Sequence, residues 1–247
     1  MRVAAVSANP HRSGRREVAR YTSTFRDLGV DLAVFPSRIL PAYVNPGATY
    51  TREHIETRAC KLSPGKTTVI AGVDEAVVVK ARERRYLAVA AMRQGRVVGW
   101  HRKRRLEDHH KSTYSCGPDN QPGSVVVIEG GVKLQMLECW ECLHGELWRG
   151  DVDIVTVSIG FGMDAKTDHY ECDYWDQWAV LVSGACLRQG VWAVLACHDA
   201  HLDQMTAVIS PEGKVVGCAR SGGVLVMDIE ATAKARREKN PLAQSEG

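Results

Sequence analysis

Short apolar runs recur along the whole chain and stop at glycine, proline or polar clusters. Runs such as 154–159 and 191–197 have the length of buried strands and are too short to span a bilayer. Between them, 15–28 and 175–188 carry apolar residues at helical spacing, and Gly29 is placed to cap the first of these segments. Alternation of strands and helices predicts an α/β fold without a transmembrane helix.

The same patterns predict the remaining elements. A short helix is expected at 51–60 and a helical tail at 230–238, and Gln94-Gly95 predicts a hairpin turn. Further strands are predicted at 2–6, 32–35, 67–71, 76–79, 86–92, 97–100, 124–128, 132–138, 206–209, 215–219 and 224–228.

Size and composition favour one soluble domain over 1–247, with a frayed tail from about residue 239. The chain has 247 residues, 45% of them hydrophobic, and a formal charge of +3. Its N-terminal apolar stretch is shorter than the core of a signal peptide, so a cytoplasmic location is expected. Eight scattered cysteines in a chain of this size favour reduced thiols over disulfides.

Cys139 stands at the end of a predicted strand. Val132, Leu134 and Met136 alternate with polar residues, and Cys139-Trp140 begins the turn that follows. A constrained backbone and nearby helix N-terminal amides would favour the thiolate that a nucleophile needs. The alternative interpretation is a buried core cysteine.

Four segments, taken in order, resemble the nitrilase superfamily of carbon-nitrogen hydrolases. They are DLAVFP at 31–36, GRVVGWHRKRRL at 95–106, CWE at 139–141 with Gly145, Glu146 and Arg149, and SPEGK at 210–214. The resemblance covers nearly the whole chain. It implies a four-layer α-β-β-α sandwich of two packed sheets with outer helices, and a homodimer or higher homo-oligomer assembled through helices.

The resemblance also implies catalytic roles. Cys139 matches the nucleophile and Lys103 the lysine that stabilises charge on the attacked group, acting on a small-molecule amide, nitrile or carbamoyl substrate without a cofactor. Trp140, Glu141 and Glu107 are the predicted substrate-binding residues, with the amide of Trp140 as a second oxyanion donor. Without the resemblance, Lys103 within the run 102–105 would be interpreted as part of a solvated basic face.

The chain departs from the family pattern at the general base. Ser37 follows Pro36 where the family has glutamate, and a hydroxyl cannot accept a proton at neutral pH. The second glutamate expected after the lysine is also displaced, because the corresponding position holds His110, with Glu107 and Asp108 nearby. Only a small residue matches the family at 184–188.

Three interpretations of this departure remain open. A histidine at 109–110 replaces the base, since an imidazole with a pKa near neutrality can deprotonate a thiol. Alternatively, Ser37 holds a water molecule or a substrate group. The third interpretation is a pseudoenzyme that keeps the fold as a binding or scaffold protein. The presence of both Cys139 and Lys103 favours a modified enzyme.

The residue types also raise two other classes of site, a metal site and a nucleic-acid surface. Cys139, Cys142 and His144 have zinc-type spacing together with 109–116, but a second C-x-x-C pair is absent and no metal is predicted. The basic runs 82–85 and 102–105 lack interleaved stacking aromatics, so no nucleic-acid partner is predicted. The acidic and aromatic segment 164–176 is a candidate pocket lining or an exposed loop before a helix.

Overall fold

Two sheets and three α-helices make up the described part of the chain. The computed structural model describes residues 1–8, 14–40, 50–63, 65–119, 121, 124–160, 174–198, 206–219 and 223–231. In chain order the elements are β1 (Arg2–Val6), α1 (Gly14–Asp27), β2 (Leu32–Val34), α2 (Arg52–Leu62), β3 (Thr68–Val79), β4 (Arg82–Arg93), β5 (Arg96–Arg102), β6 (Val125–Val127), β7 (Lys133–Glu138), β8 (Ile154–Ile159), α3 (Tyr174–Gln189), β9 (Trp192–Cys197), β10 (Thr206–Ile209), β11 (Val215–Ala219) and β12 (Val224–Asp228).

Each sheet has a parallel centre and antiparallel flanks. The first has the order β12-β1-β2-β3-β4-β5 and the second β11-β10-β9-β8-β7-β6. Strands β1, β2 and β3 run parallel, as do β7, β8 and β9, and the outer strands pair antiparallel. Parallel strands end at a common edge, which is where ligands bind in open α/β sheets.

The sheets pack face to face, with helices on both outer sides. Leu32 and Val34 of the first sheet meet Leu134 and Met136 of the second in the layer between the sheets. Helices α1 and α2 cover the outer face of the first sheet, and α3 covers that of the second. The predicted four-layer α-β-β-α sandwich is therefore confirmed.

The two strands predicted at 67–71 and 76–79 form one strand, β3, which corrects the sequence interpretation. The apolar pattern breaks at Asp74 and Glu75, yet both side chains are buried. Their charges are paired across the sheet: Arg85 Nη2 lies 2.9 Å from Asp74 Oδ2, and Arg102 Nε lies 2.7 Å from Glu75 Oε2. Pairing makes these acids tolerable in the strand.

Local signals located the helices and hairpins well. The Thr51 hydroxyl accepts a hydrogen bond from the amide of His54 at 3.2 Å and so caps α2. The helix itself begins at Arg52, one residue after the predicted start. Gln94 and Gly95 both adopt positive φ in the turn between β4 and β5, as the sequence predicted. The predicted C-terminal helix beyond Ala231 and the frayed tail lie outside the described residues.

Candidate active site

The carboxyl ends of parallel strands from both sheets meet at one place. Ser37 follows β2 of the first sheet, Cys139 follows β7 of the second, and His198 follows β9. The amide of Ser37 donates to the carbonyl of Ile159, the last residue of β8, at 3.2 Å. The two sheets therefore contribute side chains to a common site.

Cys139 lies on a strained turn at the end of β7. Its φ is +52°, a region that non-glycine residues rarely adopt and that clusters at functional sites. The side chain is buried apart from 8% of its surface. Burial raises the pKa of the Cys139 thiol to about 12, outweighing the positive charge of Lys103, which lowers it. The thiol is therefore neutral at rest, contrary to the expectation of a favoured thiolate, and its attack requires a base.

Lys103 is held by Glu107 in a buried ion pair. Its side chain is fully buried directly after β5, as predicted, and Nζ donates to Glu107 Oε1 and Oε2 at 2.8 and 2.7 Å. Burial lowers the pKa of Lys103, but interactions with the ionised forms of Cys139, Glu107 and Glu138 outweigh burial and raise the pKa overall. Because the thiol is neutral at rest, the Glu107 carboxylate is the resting counter-charge of the ammonium. The pKa of Glu107 falls to about 2, because hydrogen bonds from His110 and Lys103 outweigh its burial.

His110 contacts Glu107, the acidic member of this ion pair. Its Nδ1 is 2.8 Å from Glu107 Oε2, the same oxygen that accepts from Lys103. Burial lowers the pKa of His110 despite the nearby carboxylate. His110 is therefore placed to orient the Glu107 carboxylate through this hydrogen bond.

Ser37 is fixed by contacts from both sheets. His198 Nε2 donates to its carbonyl oxygen, and burial lowers the pKa of His198 to about 4, so the ring is neutral at pH 7. Behind Ser37 lies Gly72 of β3, whose amide donates to the carbonyl of Pro36 at 3.1 Å. A Cβ at Gly72 would stand 2.4 Å from the Cα of Ser37, so only glycine allows this approach.

Glu138 is the residue that sequence reasoning missed. Its Oε1 accepts a hydrogen bond from the Ser37 hydroxyl, across 101 residues of chain. The side chain is 1% exposed. Burial raises its pKa to about 8, although Lys103 and the Ser37 hydrogen bond lower it. The available signal was the β7 alternation, which places Glu138 on the same face as Leu134 and Met136, between the sheets.

Glu141, which is a predicted substrate-binding residue, is held within the fold by contacts to both of its oxygens. Its side chain is fully buried, and its Oε1 accepts from the Arg104 amide at 2.7 Å. Its Oε2 accepts from the Glu138 amide at 2.9 Å and lies 2.6 Å from His101 Nε2. Because both oxygens are engaged, Glu141 anchors the turn after Cys139 to the loop that carries Lys103.

Trp140 occupies a half-buried position beside the nucleophile. Its ring contacts the edge of Trp178 of α3, with centroids 6.0 Å apart and an angle of 66° between the planes. Residues 164–173 of the predicted pocket segment 164–176 lie outside the described part of the chain.

The basic residues around Lys103 are paired within the fold. Arg102 makes a bidentate contact with Glu75 at 2.7 Å to each oxygen, and Arg104 Nε lies 3.6 Å from Glu141. Among the described residues, no three His, Cys, Asp or Glu side chains gather as metal ligands. None of the described helices combines the length and apolarity of a membrane span.

Comparisons with known proteins agree with this architecture. The model of the carbon-nitrogen hydrolase family matches residues 2–238, while no curated protein matches the chain. An amidase of the nitrilase superfamily from Nesterenkonia AN1 has a TM-score of 0.73 at 17% identity, over 99% of this chain and 95% of that one. A mutant of that amidase carries the product of Michael addition of acrylamide at its active-site cysteine.

Two further solved structures share the fold. A carbon-nitrogen hydrolase from Helicobacter pylori G27 has a TM-score of 0.76 at 14% identity, covering 99% of this chain and 94% of that one. A glutamine-dependent NAD+ synthetase from Acinetobacter baumannii has a TM-score of 0.71 at 17% identity over 95% of this chain, which spans only 46% of that protein. The match of the family model over nearly the whole chain shows that this protein belongs to the carbon-nitrogen hydrolase family.

Proposed function

We propose that this protein is an atypical amidohydrolase or acyl-transfer enzyme that acts on a carbon-nitrogen bond of a small amide, nitrile or carbamoyl compound. The reaction passes through a covalent intermediate on Cys139. The observation that carries the proposal is the buried Lys103–Glu107 ion pair. Its ammonium lowers the pKa of the Cys139 thiol, and the Cys139 backbone is held at a φ of +52°.

The proposed chemistry follows from these groups. Sulfur of Cys139 attacks the carbonyl carbon, and the bond electrons move to the oxygen, where the Lys103 ammonium stabilises the negative charge. The amine leaves and a thioester remains. Attack by water, or by another acceptor, then releases the acyl group. Because Glu107 keeps Lys103 buried and ionised, the cation is in place before substrate arrives.

The test is release of ammonia from a panel of short amides, with acrylamide and acetamide included. Cys139→Ala should abolish turnover, and Lys103→Ala should lower kcat by about 10²–10³-fold because an oxyanion donor is lost. The matched control is Lys111→Ala, which removes an exposed lysine paired with Asp108. Circular dichroism verifies that the variants fold.

A pseudoenzyme acting as a binding or scaffold protein gives the opposite result. In that case no amide is hydrolysed, and Cys139 reacts with iodoacetamide no faster than the exposed Cys60 and Cys218.

We also propose a cytoplasmic homodimer formed through α3. Val180, Leu181 and Leu187 of this helix are 70%, 52% and 64% exposed, and a second copy would remove their apolar surface from water. Light scattering should give the mass of two chains, and a monomer would contradict the proposal.

A further inference from the structure

The carboxylate of Glu138 is aimed into the layer between the sheets at the active-site edge. In β7, Leu134 and Met136 pack against the first sheet, and period-2 alternation sends Glu138 the same way. Here it meets Ser37, which follows β2 of the opposite sheet. The next residue of the chain is Cys139, so carboxylate and thiol leave adjacent backbone positions.

Half of this carboxylate is left without a partner. Oε1 accepts from Ser37, whereas the buried Oε2 has no hydrogen-bond partner in the part of the chain that the structure describes. A buried acceptor without a partner costs about 1–3 kcal/mol. A residue that only links the two sheets would not require an unpartnered oxygen. A hydroxyl or amide side chain at this position would form the same bridge to Ser37 without a second carboxylate oxygen. An open acceptor whose charge acts on the neighbouring thiol, as Glu138 does in raising the pKa of Cys139, is what proton transfer requires.

The electrostatic surroundings suit a group that exchanges a proton near neutrality. Lys103 favours the carboxylate, whereas Glu141, Glu107 and burial disfavour it, and the balance leaves the pKa of Glu138 at about 8. A general base works best when its pKa lies near the working pH. His110 and Glu107 are occupied with each other and with Lys103.

Resting on the proposed hydrolase function, we propose that Glu138 is the general acid–base residue of this site and that Ser37 positions it. Glu138 Oε2 removes the proton from Cys139 Sγ as the sulfur–carbon bond forms and the carbonyl electrons move to oxygen. The tetrahedral intermediate collapses to the thioester as the carbon–nitrogen bond breaks, and Glu138 gives that proton to the leaving nitrogen. In the second half, Glu138 takes a proton from the attacking water and returns it to the departing sulfur.

The test is the rate of alkylation of Cys139 by iodoacetamide, followed by peptide mapping on either side of pH 8. In the wild type the rate should rise as Glu138 loses its proton, with an inflection near its pKa of about 8. Glu138→Gln keeps the size and the Ser37 hydrogen bond but cannot take the proton. Its alkylation should be slower by about 10²-fold or more and should lack the inflection. Glu138→Asp should retain the inflection at a reduced rate.

If Glu138 takes no proton, the alkylation rate of Cys139 in Glu138→Gln should change in the opposite direction. The negative charge of Glu138 raises the pKa of Cys139, so its removal would make alkylation equal or faster if Glu138 took no proton. An equal or faster rate in Glu138→Gln, or a wild type without the inflection, would overturn the inference. The control Glu129→Gln changes an exposed glutamate paired with Arg93 and should leave the profile unchanged.

The two proposals fail separately. A wild type that shows the inflection but hydrolyses no amide supports the acid–base role and refutes hydrolysis. If Cys139-dependent hydrolysis occurs but Glu138→Gln retains full kcat/KM, the function stands and the acid–base assignment is wrong.

Discussion

The two glutamates on either side of Cys139 are equally buried but have opposite electrostatic surroundings. Glu141 sits in the turn after the nucleophile and receives backbone amides of Arg104 and Glu138, with His101 against its second oxygen. Glu138, at the end of β7, receives one hydroxyl, from Ser37. Burial raises the pKa of both. At Glu141 the charge of His101 and the hydrogen bonds outweigh burial, and the pKa is lowered. At Glu138 burial prevails.

The contrast shows that the supply of hydrogen-bond donors, more than depth, decides whether a buried carboxylate is a structural anion or a proton carrier. A carboxylate with fully engaged oxygens stays ionised and fixes its surroundings. One with an open oxygen and a pKa near neutrality can change protonation state during a reaction. Neighbouring acids whose pKa values are pushed apart are typical of acid–base catalysis.

The sharpest way to break the comparison is to neutralise each glutamate in turn and measure stability by urea unfolding. Glu141→Gln places an amide NH₂ against backbone donors and should lose about 3–5 kcal/mol, as expected for a broken buried pair. Glu138→Gln removes a poorly solvated carboxylate and should gain at least about 1 kcal/mol at pH 8. Glu146→Gln, which changes an exposed glutamate, should leave the free energy of unfolding at the wild-type value.

The pH dependence of these two changes should have opposite signs. The lowered pKa of Glu141 gives stability that is present above its ordinary pKa and is lost as pH falls through the folded value, so the loss in Glu141→Gln shrinks in acid. The raised pKa of Glu138 makes the wild type lose stability as pH rises from 4.5 to about 8, so the gain in Glu138→Gln grows over that range. Equal signs for the two variants would refute the contrast.

A smaller effect is expected at Gly72, which sets the position of Ser37. The added methyl of Gly72→Ala would collide with backbone atoms of Pro36, Ser37 and Arg38, none of which can rotate away. We expect a loss of about 1–3 kcal/mol, as in overpacked cores, together with slower alkylation of Cys139.

Gly65→Ala is the matched control for this change. A Cβ at Gly65 would lie 3.9 Å from the nearest atoms, which belong to the Arg26 side chain, so alanine should keep the stability or raise it by up to about 1 kcal/mol. A loss at Gly65, or none at Gly72, would show that the close approach to Ser37 does not constrain the site.

Sequence reasoning succeeded where the signal was local. Cys139 and Lys103 each end a strand whose alternation or hairpin is visible in adjacent residues, and both lie at the expected strand ends. The Lys103–Glu107 pair follows from proximity along the chain, although the sequence alone did not choose among Glu107, Asp108 and the histidines.

Sequence reasoning failed where the partner came from another sheet. The contact between Ser37 and Glu138 joins residues 101 positions apart, and no local pattern marks it. Likewise, Asp74 and Glu75 lie in the gap between the two strands predicted at 67–71 and 76–79, and the arginines that pair with their charges come from β4 and β5. Position 37 carries serine instead of glutamate, and the carboxylate that contacts this serine comes from the opposite sheet.

The smallest predicted effect tests whether Ser37 tunes Glu138 or only touches it. The Ser37 hydroxyl lowers the pKa of Glu138, so Ser37→Ala should raise that pKa above 8 by about one unit or less and shift the alkylation inflection toward alkaline pH. The maximal alkylation rate should fall less than in Glu138→Gln, because the acid–base group remains and only the contact that positions it is lost. Ser63→Ala is the matched control: its buried hydroxyl donates to the Thr67 carbonyl at 2.9 Å, between the end of α2 and the start of β3, away from Glu138. Both variants should lose about 1 kcal/mol of stability, since each removes one buried hydrogen bond, and only Ser37→Ala should move the inflection. An unchanged inflection in Ser37→Ala would separate Ser37 from the proton-transfer group and leave Glu138 to act without it.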